Sequence, residues 1–110
     1  MAFIKISTDF SDSPGARYVT DGDNSGQEFR ETHLEPLFLT DPSSKEIITV
    51  DLDDTDGYAT SFLEEAFGGI ARLMKEKHNI NDISDRFKFV SNQEESLIEE
   101  IMKYISEANN

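Results

Sequence analysis

The most constraining feature of the sequence is a short apolar segment followed by a long amphipathic one. Residues 47–52 are nearly all apolar, which is typical of a strand buried on both faces of a sheet. Residues 61–77 repeat apolar side chains with the period of a helix. A buried strand that leads into such a helix predicts a layered α/β structure. The apolar residues of this helix are Phe62, Leu63, Ala66, Phe67, Ile70, Leu73 and Met74.

Strand-forming and helix-forming segments alternate along the rest of the chain. Strands are predicted at 3–6 and 86–90, with a further short strand at 17–20. Helices are predicted from Ser25 and, near the end of the chain, over 91–105. This alternation requires crossover connections. It predicts a mixed, mainly parallel sheet with about three helices packed on it, the first strands pairing antiparallel at one edge.

Helix boundaries are marked by three serines that precede a glutamate by three residues. The pairs are Ser25–Glu28, Ser61–Glu64 and Ser91–Glu94, and each has capping-box spacing. Pro36 should end or distort the first of these helices, because proline lacks a backbone donor. The pair Gly68-Gly69 lies inside the second helix at a cost of roughly 1 kcal/mol per glycine. We interpret it as a site of close packing between helix and sheet.

The composition restricts the class of protein. The 110 residues fit one domain over 1–110, and the net charge is −13. A surface of this sign repels nucleic-acid phosphates and anionic membranes and favours a basic protein partner, although it also serves solubility. There is no cysteine, which excludes disulfides and thiolate metal sites. Neither a secretory signal nor an apolar run of membrane-spanning length is present, so we expect a cytoplasmic protein.

The segment Asp51-Leu52-Asp53-Asp54-Thr55 is the sharpest enzyme-like signal. It is similar to the opening motif of haloacid-dehalogenase phosphatases, which would make Asp51 the nucleophile, Asp53 the acid and base, and both magnesium ligands. No convincing later lysine and acidic pair completes the motif. We therefore interpret the segment as a solvated acidic turn, with a small magnesium-dependent phosphatase as an alternative.

Two other candidate metal sites lack the residue spacing that metal ligands require. The segment 21–26 begins like an EF-hand loop, but its twelfth position is Thr32 rather than a bidentate glutamate. His33 and His78 stand 45 positions apart without metal-ligand spacing. We therefore predict no catalytic residue, no metal and no cofactor.

Three segments together resemble a known family. They are 14–30, 50–53 and 57–69, and the most specific part reads Ser61-Phe62-Leu63-Glu64-Glu65-Ala66-Phe67-Gly68-Gly69. In this order, over about residues 2–107, they resemble the STAS-like domain family of bacteria and phages. The resemblance implies a fold similar to that of the anti-sigma-factor antagonists.

The resemblance also implies a partner switch. In the antagonists, a serine or threonine at the start of a helix is phosphorylated by a histidine-kinase-like ATPase, and the phosphorylated form releases that partner. The equivalent residues here are Thr60 and Ser61. The antagonists usually place aspartate before the acceptor and glycine after it, whereas this chain reads Ala59-Thr60-Ser61-Phe62.

The sequence therefore predicts a regulatory protein-interaction module and not an enzyme. Its protein partner is predicted to be an ATPase or kinase-like regulator, with no direct binding of nucleic acid or membrane. A first alternative is an acidic inhibitor that mimics DNA and blocks a nucleic-acid-binding protein; the phosphatase is the second. The predicted partner surface consists of Asp53, Asp54, Asp56, Gly57, Tyr58, Glu64 and Glu65, beside the candidate phosphoacceptors Thr60 and Ser61.

Overall fold

A three-stranded sheet forms the centre of the fold. The computed structural model describes residues 1–108. The strands lie in the order β1-β2-β3, and both neighbouring pairs are parallel. The α/β class is thereby confirmed. The strands are β1 (Ala2–Lys5), β2 (Ile48–Asp51) and β3 (Phe87–Val90).

Helices connect the strands and follow the last one. Helix α1 is a single turn, whereas α2 and α3 each contain a wider π-helical segment in the middle. No helix within residues 1–108 is long and apolar enough to cross a bilayer. The helices are α1 (Ile6–Asp9), α2 (26–39, composed of Gly26–Phe29, Arg30–Leu34 and Glu35–Leu39), α3 (60–78, composed of Thr60–Leu63, Glu64–Gly68 and Gly69–His78) and α4 (Ser96–Glu107).

The core lies between one face of the sheet and the helices. Phe67 of α3 is fully buried and meets the rings of Phe87 and Phe89 edge-on, at centroid distances of 5.7 and 5.4 Å. Edge-to-face contacts are a favoured aromatic geometry. Burying one such side chain contributes roughly 1.5–3 kcal/mol. The opposite face of the sheet is more open, since Phe3 is 61% exposed.

Two predictions about the first strands are wrong. β1 pairs parallel with β2, so the expected antiparallel edge is not formed. The predicted strand at 17–20 is replaced by a 3₁₀ turn at Val19–Asp21. There the Tyr18 N–H donates to the Asp21 carboxylate and the Asp21 N–H donates to the Tyr18 carbonyl. These local hydrogen bonds satisfy the backbone without a neighbouring strand.

One of the three predicted serine caps is found. Ser25 Oγ accepts a hydrogen bond from the amide three residues later, as the spacing predicts. Helix α3 instead has Ala59 at its N-cap, and α4 has Glu95, both without a side-chain cap. Ser91 donates to the Glu94 carbonyl in the loop before α4.

Pro36 does not end α2, which continues to Leu39. The proline is the second residue of the last α-helical segment, directly after the π-helical turn Arg30–Leu34, so the helix is distorted rather than broken.

Two glycine sites allow α2 and α3 to approach each other. A Cβ atom at Gly26 would lie 2.4 Å from the Phe62 carbonyl oxygen, so the first turn of α2 packs directly on the backbone of α3. A Cβ at Gly69 would lie 2.7 Å from Nη1 of Arg30. The close approach at Gly69 is therefore to an arginine of α2 and not, as expected, to the sheet.

We predict that Gly26→Ala lowers the free energy of unfolding by about 1–3 kcal/mol, because backbone atoms must move to admit the methyl group. Gly68→Ala is the matched control. A Cβ at Gly68 meets only the ends of the Glu64 and Arg72 side chains, which can shift, and the helix gains propensity. Urea denaturation measures both variants. Equal stability of the two would contradict the close helix crossing.

Candidate functional site

The loops that follow the three strands meet at one edge of the sheet. Parallel strands present their carboxyl ends on the same side, where ligands of open α/β sheets commonly bind. Lys5 ends β1, and its Nζ lies 2.8 Å from Oδ2 of Asp54, which follows β2. Asn92 and Gln93, after β3, bind Asp53 of the same loop. We call residues 53–58 the acidic loop.

Asp53 fastens the acidic loop to the segment after β3. Its carboxylate accepts hydrogen bonds from the backbone amides of Asn92 and Gln93 at 2.9–3.1 Å and from Asn92 Nδ2 at 3.0 Å. Its own N–H donates to Oδ1 of Asp51. The backbone N–H of Gln93, followed by that of Asn92, holds the pKa of Asp53 below its usual value. Asp53 is only 9% exposed, so its role here is to anchor the loop.

Asp54 shapes the top of the acidic loop. Its φ is +69°, a left-handed conformation that aspartate tolerates better than most residues. Gln93 accepts a hydrogen bond from the Asp54 amide at 2.7 Å and donates one to its carboxylate at 3.0 Å. The ion pair with Lys5 lowers the pKa of Asp54. The side chain nevertheless remains exposed.

The second half of the acidic loop is held from two sides. The Asp56 amide donates to the carbonyl of Asp12, and Ser13 donates to the Asp56 carboxylate at 2.7 Å. Gly57 adopts a φ of +123°, which few other residues would accept. The Tyr58 hydroxyl donates to the carbonyl of Leu52, and burial raises the pKa of Tyr58 to about 12. The loop is therefore ordered by its own contacts, while Asp56 and Gly57 stay exposed.

Thr60 and Ser61 are the first two residues of α3. Thr60 is exposed and Ser61 half-buried. Because the N-cap is Ala59, Ser61 does not have the capping role that its spacing with Glu64 predicts. The first turn of a helix carries unsatisfied N–H groups and a partial positive charge. This helix start directly follows the acidic loop.

A cluster of charged residues lies one turn further along α3. Glu65 is only 8% exposed and pairs most closely with Arg30 of α2. Arg17 and Arg72 lie 3.5 and 3.9 Å from its other carboxylate oxygen. Glu64 pairs with Arg17 and with Arg72, each at 2.5 Å. The glutamates that the sequence assigned to a partner surface are thus occupied by arginines of the same chain.

The structure brings together only part of the predicted surface. Asp54, Asp56, Gly57 and Thr60 form an exposed patch, whereas Asp53 and Glu65 point inward. Sequence reasoning missed several residues that hold this region: Lys5, Arg30, Arg72, Asn92 and Gln93. Glu64 and Arg72 are eight residues apart, beyond the three- or four-residue spacing at which helical side chains are neighbours, so spacing alone does not indicate their contact. Nothing in the sequence indicates the contacts made across elements.

The aspartates of the phosphatase-like motif already have hydrogen-bond partners. The Asp53 carboxylate is engaged by backbone and amide donors, and Oδ1 of Asp51 accepts the Asp53 amide. Among residues 1–108, no group of three acidic or histidine side chains is placed to hold a metal ion. These contacts hold Asp51 and Asp53 within the turn that follows β2.

Comparison with known proteins agrees with the family resemblance. Residues 25–97, about two thirds of the chain, match the family model of a STAS-like domain of unknown function (DUF4325). The matched segment runs from the start of α2 into α4 and includes the acidic loop. No curated protein and no solved structure matches the chain significantly.

We predict that Arg30→Met destabilises the protein by about 1–3 kcal/mol, because Glu65 loses its shortest ion pair and keeps only the longer contacts to Arg17 at 3.5 Å and Arg72 at 3.9 Å. The double variant Arg30→Met/Glu65→Met should recover part of this loss, since both charges are then removed. Thermal and urea denaturation of the two variants provide the comparison. A double variant less stable than the single one would show that the ion pair does not have this role.

We predict that the contribution of Asp53 to stability depends on pH. A carboxyl group whose pKa is lowered by folding stabilises the protein fully above its unfolded pKa of about 4 and loses this effect as the pH falls through the lower folded value. Wild type should therefore exceed Asp53→Asn in stability at pH 7, and the difference should shrink below about pH 4. Denaturation at several pH values measures this. A constant difference would contradict the anchoring role of the charge.

Proposed function

Since the chain belongs to the STAS-like domain family of unknown function, we propose that it is a regulatory protein-interaction module of the partner-switch type. Its partner is a histidine-kinase-like ATPase or a related kinase-like regulator. The observation that carries the proposal is the start of α3: two hydroxyl residues open a helix without a side-chain cap, beside an exposed acidic loop. The module does not act as an enzyme.

The acidic loop supplies the docking surface. Asp56 exposes a carboxylate that attracts a basic surface on the partner and speeds the encounter, and Asp54, although paired with Lys5, is exposed beside it. The contacts from Asp53, Gln93 and Ser13 order this loop in the free protein. A preformed loop loses little conformational entropy on binding, which favours affinity.

Thr60 and Ser61 supply the switch. In phosphoryl transfer, the hydroxyl oxygen attacks the γ-phosphorus of the partner's ATP, loses its proton, and ADP departs. The phosphorylated residue then carries about −1.5 to −2 charges directly opposite the partner's nucleotide. Repulsion between these phosphates favours release. The partial positive charge of the α3 start stabilises the phosphate on this chain.

The alternative function, an inhibitor that mimics DNA, differs from the partner switch in the protein that it binds and in how its affinity depends on salt. It would engage a nucleic-acid-binding protein through many carboxylates, with affinity falling steeply as salt is added. Phosphorylation at the start of α3 has no place in that mechanism, so variants at Thr60 and Ser61 separate the two functions.

We predict that wild type captures a histidine-kinase-like ATPase from host lysate and that Thr60→Glu/Ser61→Glu does not, because the added carboxylates imitate the phosphorylated state. Bound proteins are identified by mass spectrometry. Radiolabelled ATP should label wild type in the captured complex and leave Thr60→Ala/Ser61→Ala unlabelled.

Ser96→Glu is the matched control, since Ser96 is an exposed hydroxyl residue that also opens a helix, α4. This variant should retain the partner. If all variants instead retain the same nucleic-acid-binding protein and DNA displaces that protein, the inhibitor hypothesis replaces the switch hypothesis. Loss of the partner in Ser96→Glu as well would show that α3 is not the switch.

A further inference from the structure

A second site lies at the opposite end of the sheet from the acidic loop. A cavity of about 440 Å³ is lined by residues 42–45, which precede β2, and by Asp82, Ile83, Asp85 and Arg86, which precede β3. Met74 of α3 and Ile80 complete the lining. Because the strands are parallel, these segments are at their amino ends, away from the acidic loop. The volume is within the usual range for small-molecule sites.

Arg86 lines this cavity and is only 7% exposed. Its Nε donates to the Glu46 carbonyl at 3.0 Å, and its guanidinium lies 4.6 Å from the centre of the Phe38 ring. Nη1 is buried and has no hydrogen-bond partner among the described residues. Burial lowers the pKa of Arg86, with Glu46 and Asp41 opposing this effect.

A buried guanidinium with one hydrogen bond has donors left to satisfy. An unpaired buried donor costs about 1–3 kcal/mol, and more when it is charged. A carboxylate has two oxygens that match a guanidinium, and it pairs bidentately once a shift of the side chain turns Nη1, which is shielded from solvent, toward the cavity. Beside this charge, the cavity presents apolar side chains of Met74, Ile80 and Ile83.

We propose that this cavity binds a small organic carboxylate with an apolar body, whose carboxylate pairs with Arg86. The apolar body lies against Met74, Ile80 and Ile83. The site is separate from the acidic loop and does not depend on the proposed switch.

The other charged residues of the lining are compatible with such a ligand. Lys45 adds a second cation, and it is exposed. The Asp82 carboxylate accepts hydrogen bonds from the amide and hydroxyl of Ser84, which holds it within its own turn. Asp82 and Asp85 are both exposed, so solvent screens their repulsion of a bound anion better than it screens the attraction of buried Arg86.

Octanoate is a suitable probe, with octanol and inorganic phosphate as comparators. Titration into ¹⁵N-labelled protein should shift the amide signals of residues 43–45 and 80–86, while those of the acidic loop stay in place. Octanol lacks the charge and phosphate lacks the apolar body, so each should bind at least about tenfold more weakly.

Arg86→Lys should weaken octanoate binding about 10- to 100-fold, because lysine keeps the charge and loses the bidentate geometry. Ile80→Trp fills the cavity from its half-buried rim and should block binding in a folded protein even if Arg86→Lys fails to fold. Lys103→Met, an exposed change on α4, is the control and should bind as wild type does.

Three outcomes would overturn the proposal. The first is the absence of octanoate-induced shifts at millimolar concentration. The second is equal binding of octanol, which would show that no carboxylate is recognised. The third is unchanged affinity in Ile80→Trp, which would place the ligand elsewhere.

Discussion

The ion pair between Arg30 and Glu65 is the buried polar contact around which α2 and α3 pack. It joins α2 to α3 at a depth where both side chains are largely shielded from water. The two residues belong to the π-helical segments of their helices, and such segments often occur where a helix must redirect a side chain. Gly69 leaves room for the arginine, and Gly26 lets the helix starts touch. Gly69 thus makes room for the polar contact between the two helices, and Gly26 for the close approach of their backbones.

The packing of α3 on α2 also restricts where α3 begins relative to the sheet, since Gly26 meets the backbone of Phe62. With α3 fixed on α2, the connection from β2 must reach Thr60 through a short loop. Asp53 fastens the near end of that loop to the segment after β3, and Tyr58 holds the far end against Leu52. The carboxylates left exposed between these anchors are positioned by the fold. A docking surface of this kind requires no rearrangement to present its charge.

The local pattern predicted the elements well and their contacts poorly. Residues 47–52 and the apolar stripe of α3 were identifiable because burial imposes its period directly on the sequence. The Ser25 cap was predicted correctly, since it involves only neighbouring residues. Ser61 and Ser91 have the same spacing but do not cap, because tertiary contacts set those helix starts. Glu65 looked like a surface charge, and only the approach of Arg30 from another helix explains its burial.

The acidic residues are of two kinds, those whose carboxylates are bound within the chain and those that are exposed to solvent. The carboxylates of Asp53 and Glu65 accept hydrogen bonds from donors of this chain, so their negative charges take part in holding the fold together. Asp56 has one hydroxyl donor and otherwise faces water, so its charge remains available to an approaching protein. Ion pairs within the chain leave the net charge of −13 unchanged, so this charge belongs to the carboxylates in excess of the basic residues. For the proposed docking to α3, the carboxylates nearest the start of that helix matter most, because solvent and salt screen the charges that lie farther away.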